Sequence, residues 1–264
     1  MLTYVYDGSF EGLLTALAAT VDHNKEIQAI TARQDFQPDL FSEVREITTD
    51  QAAATAFLEQ LRARFSHRNL VTLGKCFLAE TPGIAMTIRD FIRLLFTHGE
   101  RITQNPANET VAKINRARDQ VSYEVLRLQG FVRFRQLTTK EYYAAIEPDH
   151  NVLRLLAPLF AARFADQQWL IHDLKRRTGI YYDGAVCRFL PEVTVAEDLV
   201  AASRPWTSNW TGKGFSPMEH TYQLIWNQYF QAIAIAERTN PRLQRQNMPA
   251  RYWKHLVERV DFKD

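Results

Sequence analysis

Cysteine is nearly missing from this chain. Only Cys76 and Cys187 occur, far apart and outside any Cys-x-x-Cys spacing. That excludes a disulfide scaffold or a thiolate metal knuckle and fits two buried thiols in a reducing compartment. Long apolar runs are missing too, since none approaches the roughly 20 residues that a membrane-spanning helix needs. The opening MLTYVYDGSF has no basic segment followed by an apolar stretch, so no secretory signal is expected, and the cytoplasm is the expected compartment. The spacings His-Glu-x-x-His, Gly-x-Ser-x-Gly and Gly-x-x-x-x-Gly-Lys-Ser/Thr do not occur. There is no internal repeat, low-complexity tract or obvious linker.

What is present is an ordinary globular composition with an uneven charge distribution. Hydrophobic residues make up 46% of the chain, enough for a sizeable core. The net charge of +2 hides an asymmetry: residues 1–60 carry ten acids against Lys25, Arg33 and Arg45, leaving 29 bases and 20 acids to the rest. An acidic front and a basic remainder favour an anionic partner for the latter.

Periodicity places a strand over Leu2–Tyr6, a turn at Asp7-Gly8-Ser9, and a helix with Phe10, Leu13, Leu14, Leu17 and Val21 on one face. The turn YDGSFEG has the glycine spacing of a phosphate cradle but lacks the lysine. A second strand is expected at Glu43–Ile47, then a capping box of Thr48 and Gln51 opening a helix buried through Phe57, Leu61 and Phe65. Helices follow over 68–79, over 84–98 with Gly99 as the stop, and over 108–129 with Gly130 ending the last.

The middle alternates with period two. GFVRFRQL sets Val132 and Phe134 on one strand face and Arg133 and Arg135 on the other, and YYAAIE returns as its hairpin partner. A helix over 151–165 contains Pro158, which is expected to kink or split it. Strands at Gln168–Asp173, Gly179–Asp183 and Ala185–Leu190 follow, the last two joined by the tight turn Asp183-Gly184. The expected fold is α+β: an antiparallel sheet in the order strand-strand-helix-strand-strand-strand, with helical regions before and after it. The expected division is 1–105 (mainly helical, one or two short strands), 106–195 (the core) and 196–264 (helical, one compact unit with the core). In the last region Ser216-Pro217-Met218-Glu219 reads as a capping box. Its helix reaches about Arg238, with Met218, Tyr222, Trp226, Tyr229 and Ile233 on a stripe. Asn240-Pro241 breaks it.

Two places could carry chemistry. The first is the corner Glu147-Pro148-Asp149-His150-Asn151, where a strand meets a helix. Asp149 or Asn151 can cap that helix, its N-terminus can hold a phosphate with help from His150, or Glu147, Asp149 and His150 can share acid–base work. His172 and Asp173 end the neighbouring strand, so a metal site would require them to converge on the same corner. The second is the basic clusters. Residues 111–135 hold six bases against two acids, with Arg116, Gln120, Tyr123 and Arg127 at helical spacing. Lys175, Arg176 and Arg177 crowd a hairpin tip, and residues 238–259 hold six bases against Glu258, interleaved with Tyr252 and Trp253. Guanidinium groups beside aromatic faces suit phosphate contacts and base stacking. Trp206 and Trp210 in a Gly/Ser/Pro-rich loop are either anchors or stacking platforms.

The strings YVYDGSFEGLL, GFVRFR, YYAAIEPDHNVLRLLAPLFAARFADQQWLIHDLKR, YYDG and MPARYWKHLVE resemble a bacterial DNA-metabolism or DNA-repair protein family whose central domain is of unknown function. The resemblance covers nearly the whole chain. It implies a DNA-repair context, with a radical S-adenosylmethionine protein encoded nearby as partner, and the domain also occurs joined to a uracil-DNA-glycosylase-like domain. It directs interest to Asp7, Gly8, Arg127, Arg133, Glu147, Asp149, His150, His172, Lys175, Arg176, Arg251 and Trp253, which stand inside the matching strings. Family members often carry a histidine where this chain has Leu126, and there is no cysteine triplet for an iron–sulfur cluster. Radical chemistry would therefore belong to the partner. The expected function is a DNA-binding accessory protein holding phosphates through Arg127, Arg133, Arg135, Lys175, Arg176 and Arg251, with His150 and Trp253 assisting. It has no cofactor or metal of its own, and docks on its partner through the acidic N-terminal region. The alternative is an enzyme acting on DNA, a metal-assisted hydrolase or a base-processing activity, with Glu147, Asp149, His150 and His172 as its candidate groups.

Overall fold

The computed structural model describes residues 2–21, 27–38, 43–195 and 214–258. Trp206, Trp210 and Arg259 lie outside the described residues. The chain forms two compact units, Met1–Ser122 and Tyr123–Asp264.

In the first unit β1 (Leu2–Tyr6) is the middle strand of a three-stranded sheet, with β2 (Ile27–Ala32) and β3 (Glu43–Glu46) parallel to it on either side. Tyr4, Val5 and Tyr6 are all buried, as a strand covered on both faces requires. The turn after β1 is closed by its own side chains. Asp7 accepts from the Ser9 amide at 2.9 Å and hydroxyl at 2.6 Å and from the Thr49 hydroxyl at 2.7 Å, and Ser9 Oγ accepts from the Gly12 amide at 2.9 Å. A Cβ on Gly12 would stand 2.2 Å from Asp7 Oδ1, so this close approach requires glycine. The carboxylate sits where a cradled phosphate would have to be.

The helices of this unit include α1 (Phe10–Thr20), α2 (Gln51–Arg64), α3 (His67–Leu78) and α4 (Ile84–His98), the last stopped by Gly99. The cap of α2 is Asp50, which accepts from the amides of Ala52 and Ala53, and not the expected pair Thr48 and Gln51. Thr49 is held by Asp7 instead. Cys76 is buried with its thiol pushed up to about 12 by desolvation, and both cysteines are free.

Helix α5 (Glu109–Phe131) runs past Gly130, and the boundary between the units falls within it. In the second unit the sheet order is β4-β5-β6-β7-β8, with β4 (Arg135–Gln136), β5 (Tyr142–Ile146), β6 (Trp169–Asp173), β7 (Thr178–Tyr182) and β8 (Cys187–Leu190). The fold is α+β, but the sheet is mixed rather than antiparallel. β4–β5, β6–β7 and β7–β8 are antiparallel, whereas β5 and β6 are parallel, Ala145 facing His172 and Ile146 facing Asp173. The cause is α6 (Leu153–Arg163), which carries the chain back along the sheet before β6 starts. Pro158 does not split α6. It lies on the exposed side of a helix assigned without a break.

Each face of this sheet has its own cover. On one, Trp169 meets Phe134, Phe160 and Tyr182, ring centroids 5.3–6.3 Å apart. On the other, Tyr143 and Ala145 pack with Phe215, Leu137, Leu170, Leu174 and Val195. Beyond Phe215 come α7 (Pro217–Ala232), α8 (Pro241–Asn247) and a 3-10 turn over Ala250–His255. α7 is shorter than expected and ends well before Arg238.

Candidate functional site

Arg133 and Arg135 do not share a strand face, because Phe131 is still helical and β4 begins only at Arg135. Arg133 turns to the C-terminal segment. Its guanidinium binds both carboxylate oxygens of Glu258 and also donates to the Gly130 carbonyl at 2.6 Å. Glu258 is nearly waterless, and although burial would raise its pKa, the Arg133 hydrogen bond and charge hold it low. Arg135 is buried, and desolvation pulls it down to about 10, opposed by the charge of Glu219. Glu219 does not close the expected capping box. Ser216 caps α7, while Glu219 accepts from the Gln136 amide at 2.9 Å and the Gln223 carboxamide at 2.9 Å.

The corner before α6 is organised by a residue that belongs to no motif of the sequence. Glu124, on α5, is buried and accepts from the amides of Asp149 (2.9 Å) and His150 (2.8 Å) and from the Tyr252 hydroxyl (2.8 Å). The Arg251 guanidinium lies 3.6 Å from it and reaches Asp149 Oδ2 at 3.1 Å. Two successive amides aimed at one point form an anion nest, and here the anion is the protein's own carboxylate. Neither Asp149 nor Asn151 occupies the N-cap of α6. That position is Val152, whose carbonyl takes the Leu155 and Leu156 amides.

The hairpin tip closes the same corner from the far side. Asp173, fully buried, accepts from the amides of Lys175 and Arg176 and from Arg176 Nη1 at 2.9 Å. Arg176 also donates to the carbonyls of Pro148 (3.2 Å) and Asp149 (2.9 Å), and Lys175 Nζ reaches the Asp149 carbonyl at 3.3 Å. Glu147 pairs with Lys254. Burial would raise its pKa, and the Lys254 hydrogen bond and charge keep it below the ordinary range. His255 Nε2 stands 3.3 Å from Glu147, and neither ring nitrogen has a hydrogen-bond partner among the described residues. Desolvation takes this histidine down to about 4 against the opposing pull of Glu147, so it is neutral at pH 7.

Glu147, Asp149, His150, Lys175, Arg176 and Arg251 are therefore gathered at one corner. His172 is not among them. Successive strand residues face opposite ways, so while Asp173 meets Arg176, His172 turns its Nδ1 to the Tyr143 hydroxyl at 3.0 Å and is kept neutral by burial. Among the described residues no group of three His, Cys, Asp or Glu side chains is placed to hold a metal ion. Arg127 is half-exposed and makes no hydrogen bond or ion pair among the described residues, and neighbouring Tyr123 and Leu126 are exposed. Trp253 anchors its indole N–H on the Met248 carbonyl at 2.9 Å. Arg238, Arg242 and Arg245 are exposed, with no ion pair among the described residues. Residues 239–257 hold four bases and no acid.

Glu124 did leave a trace in the sequence. It sits three residues after Val121 and four before Leu128, on the buried stripe of α5, where a charge needs partners.

An α+β protein with a self-neutralised polar corner and, from 238 to 245, three exposed arginines without an ion pair among the described residues is what the fold and site define. The chain belongs to the DUF4130 family, a domain of unknown function, whose profile matches residues 82–258. No curated protein and no solved structure matches it. Among the described residues no helix is long and apolar enough to cross a membrane.

Proposed function

We propose that the 123–258 unit is an accessory DNA-binding module that performs no chemistry of its own. The observation that carries this reading is the exposed basic segment: Arg242 and Arg245 on α8, with Arg238 before them and Arg251 and Lys254 after, and no carboxylate between 239 and 257. Arg251 and Lys254 are paired with Asp149 and Glu147, whereas Arg238, Arg242 and Arg245 have no ion pair among the described residues, and such cations hold a phosphate backbone without reading its sequence. Lys175, exposed at the hairpin tip, and Arg127 extend the set. Arg133, Arg135 and Arg176 support it from within, since their partners are Glu258, Glu219 and Asp173. The resemblance to DNA-repair proteins supplies the biological context, including a radical S-adenosylmethionine partner. Co-purification of the two proteins, lost on deleting residues 1–60, tests that part.

The segment itself is tested by fluorescence anisotropy of labelled DNA. Arg242→Ala/Arg245→Ala is expected to weaken binding at unchanged thermal stability. Arg133→Ala is expected to do the reverse, costing roughly 2–3 kcal/mol of stability because it strands a buried carboxylate. Unaltered affinity in the first variant would remove the segment from the interface. The hydrolytic alternative has less support, because both of its corner carboxylates are engaged, Glu147 by Lys254 and Asp149 by Arg251.

A further inference from the structure

Helix α7 is turned inside out. Its polar Glu219 and Gln223 are buried, while Met218, Tyr222, Ile225, Trp226, Tyr229 and the C-cap Ile233 are between 41% and 58% exposed. These six side chains form one apolar stripe, and the helix exposes no Asp, Glu, Lys or Arg, because its only such residue, Glu219, faces β4. The charges that touch it, Arg133 over the Trp226 ring at 6.0 Å and Glu258 accepting from the Trp226 indole N–H at 3.3 Å, are paired with each other.

The spacing says what does fit. From Met218 the steps along the stripe are four, three, one, three and four residues, a sequence that reads the same from either end. In an antiparallel helix pair, Met218 then meets the other copy's Ile233, Tyr222 meets Tyr229 and Ile225 meets Trp226, each contact occurring twice. That is the isologous arrangement of a two-fold dimer, at the heptad-like spacing that lets two helices interlock. We propose that α7 pairs with α7 of a second copy of this chain to form an antiparallel homodimer. The stripe itself carries no charge, and Arg133 and Glu258 beside Trp226 neutralise each other. Half-exposed side chains of this size leave on the order of 100 Å² each, so the pair buries roughly 1,200 Å² in all, the lower end of the range for specific interfaces. The association is therefore modest and concentration-dependent.

Sedimentation equilibrium of the full chain, from micromolar to sub-millimolar concentration, is the test. Wild type is expected to pass from monomer to dimer, and Ile225→Asp to remain monomeric with an unchanged circular dichroism spectrum. Cross-linking fixes the direction. In a Cys187→Ser background, mixed Met218→Cys and Ile233→Cys proteins are expected to form a disulfide with each other, and neither with itself, since residues 15 apart on a helix lie about 22 Å apart. A wild type monomeric throughout, a dimer indifferent to Ile225→Asp, or self-cross-linking of each single variant would overturn the proposal. The first result would leave the stripe to a different partner.

Discussion

A carboxylate with almost no access to water must be surrounded by donors, or it will take up a proton. Glu124 has two amides, a phenol and a guanidinium around it. Removing it strands all of them at once. Glu124→Ala is expected to lower unfolding free energy by roughly 3 kcal/mol, and Glu124→Gln by less, read from urea midpoints. Equal effects would mean that the charge contributes nothing. His255 gives a pH signature. Its folded pKa of about 4 lies below the unfolded value of roughly 6.5, so the unfolded chain binds the proton more readily, and stability falls as pH drops from about 6.5 toward 4. The loss reaches about 3 kcal/mol, and His172, also held neutral by burial, adds in the same direction. His255→Leu is expected to flatten the fall in melting temperature between pH 7 and pH 5, and an unchanged slope would contradict the assignment.

Elements with a continuous apolar stripe were legible in the sequence: α1, α3, α4, and the strands β1 and β5 to β8 all lie where periodicity put them, because burial and side-chain spacing carry the same information. Strand direction was not, since alternation is identical in parallel and antiparallel strands, and the α6 crossover was read as an insertion on an antiparallel sheet. β2 was missed because only Ile30 and Ala32 of its six residues are buried. At the site, Asp149, His150, Lys175, Arg176 and Arg251 were named from sequence, but not their common organiser. Glu124 hides in a basic helix, and its amide partners have no side-chain signature. Pro158 marks a further limit, since a helix held by tertiary contacts tolerates a proline that an isolated one would not. Pro158→Ala restores one backbone hydrogen bond at an exposed position and is expected to raise unfolding free energy by about 1–3 kcal/mol. A variant no more stable than wild type would show that the ring is accommodated without cost.

At the scale of the whole chain, charge is sorted by pairing. The separate basic clusters of the sequence contain two contrasting populations. Arg133, Arg135 and Arg176 are spent on internal carboxylates, whereas Arg242 and Arg245 are exposed with no ion pair among the described residues. The apolar stripe of α7 is exposed and carries no charge of its own, and it meets the first population where the Arg133 guanidinium lies over the Trp226 ring. The DNA-binding account depends on the second population, and the salt dependence of binding addresses it most directly. With labelled DNA titrated across a salt series, wild type is expected to show affinity falling steeply with salt, and Arg242→Ala/Arg245→Ala to lose about 0.9 from the log–log slope for each phosphate contact removed. Wild type that fails to bind at low salt, or a double variant with an undiminished slope, would contradict the account.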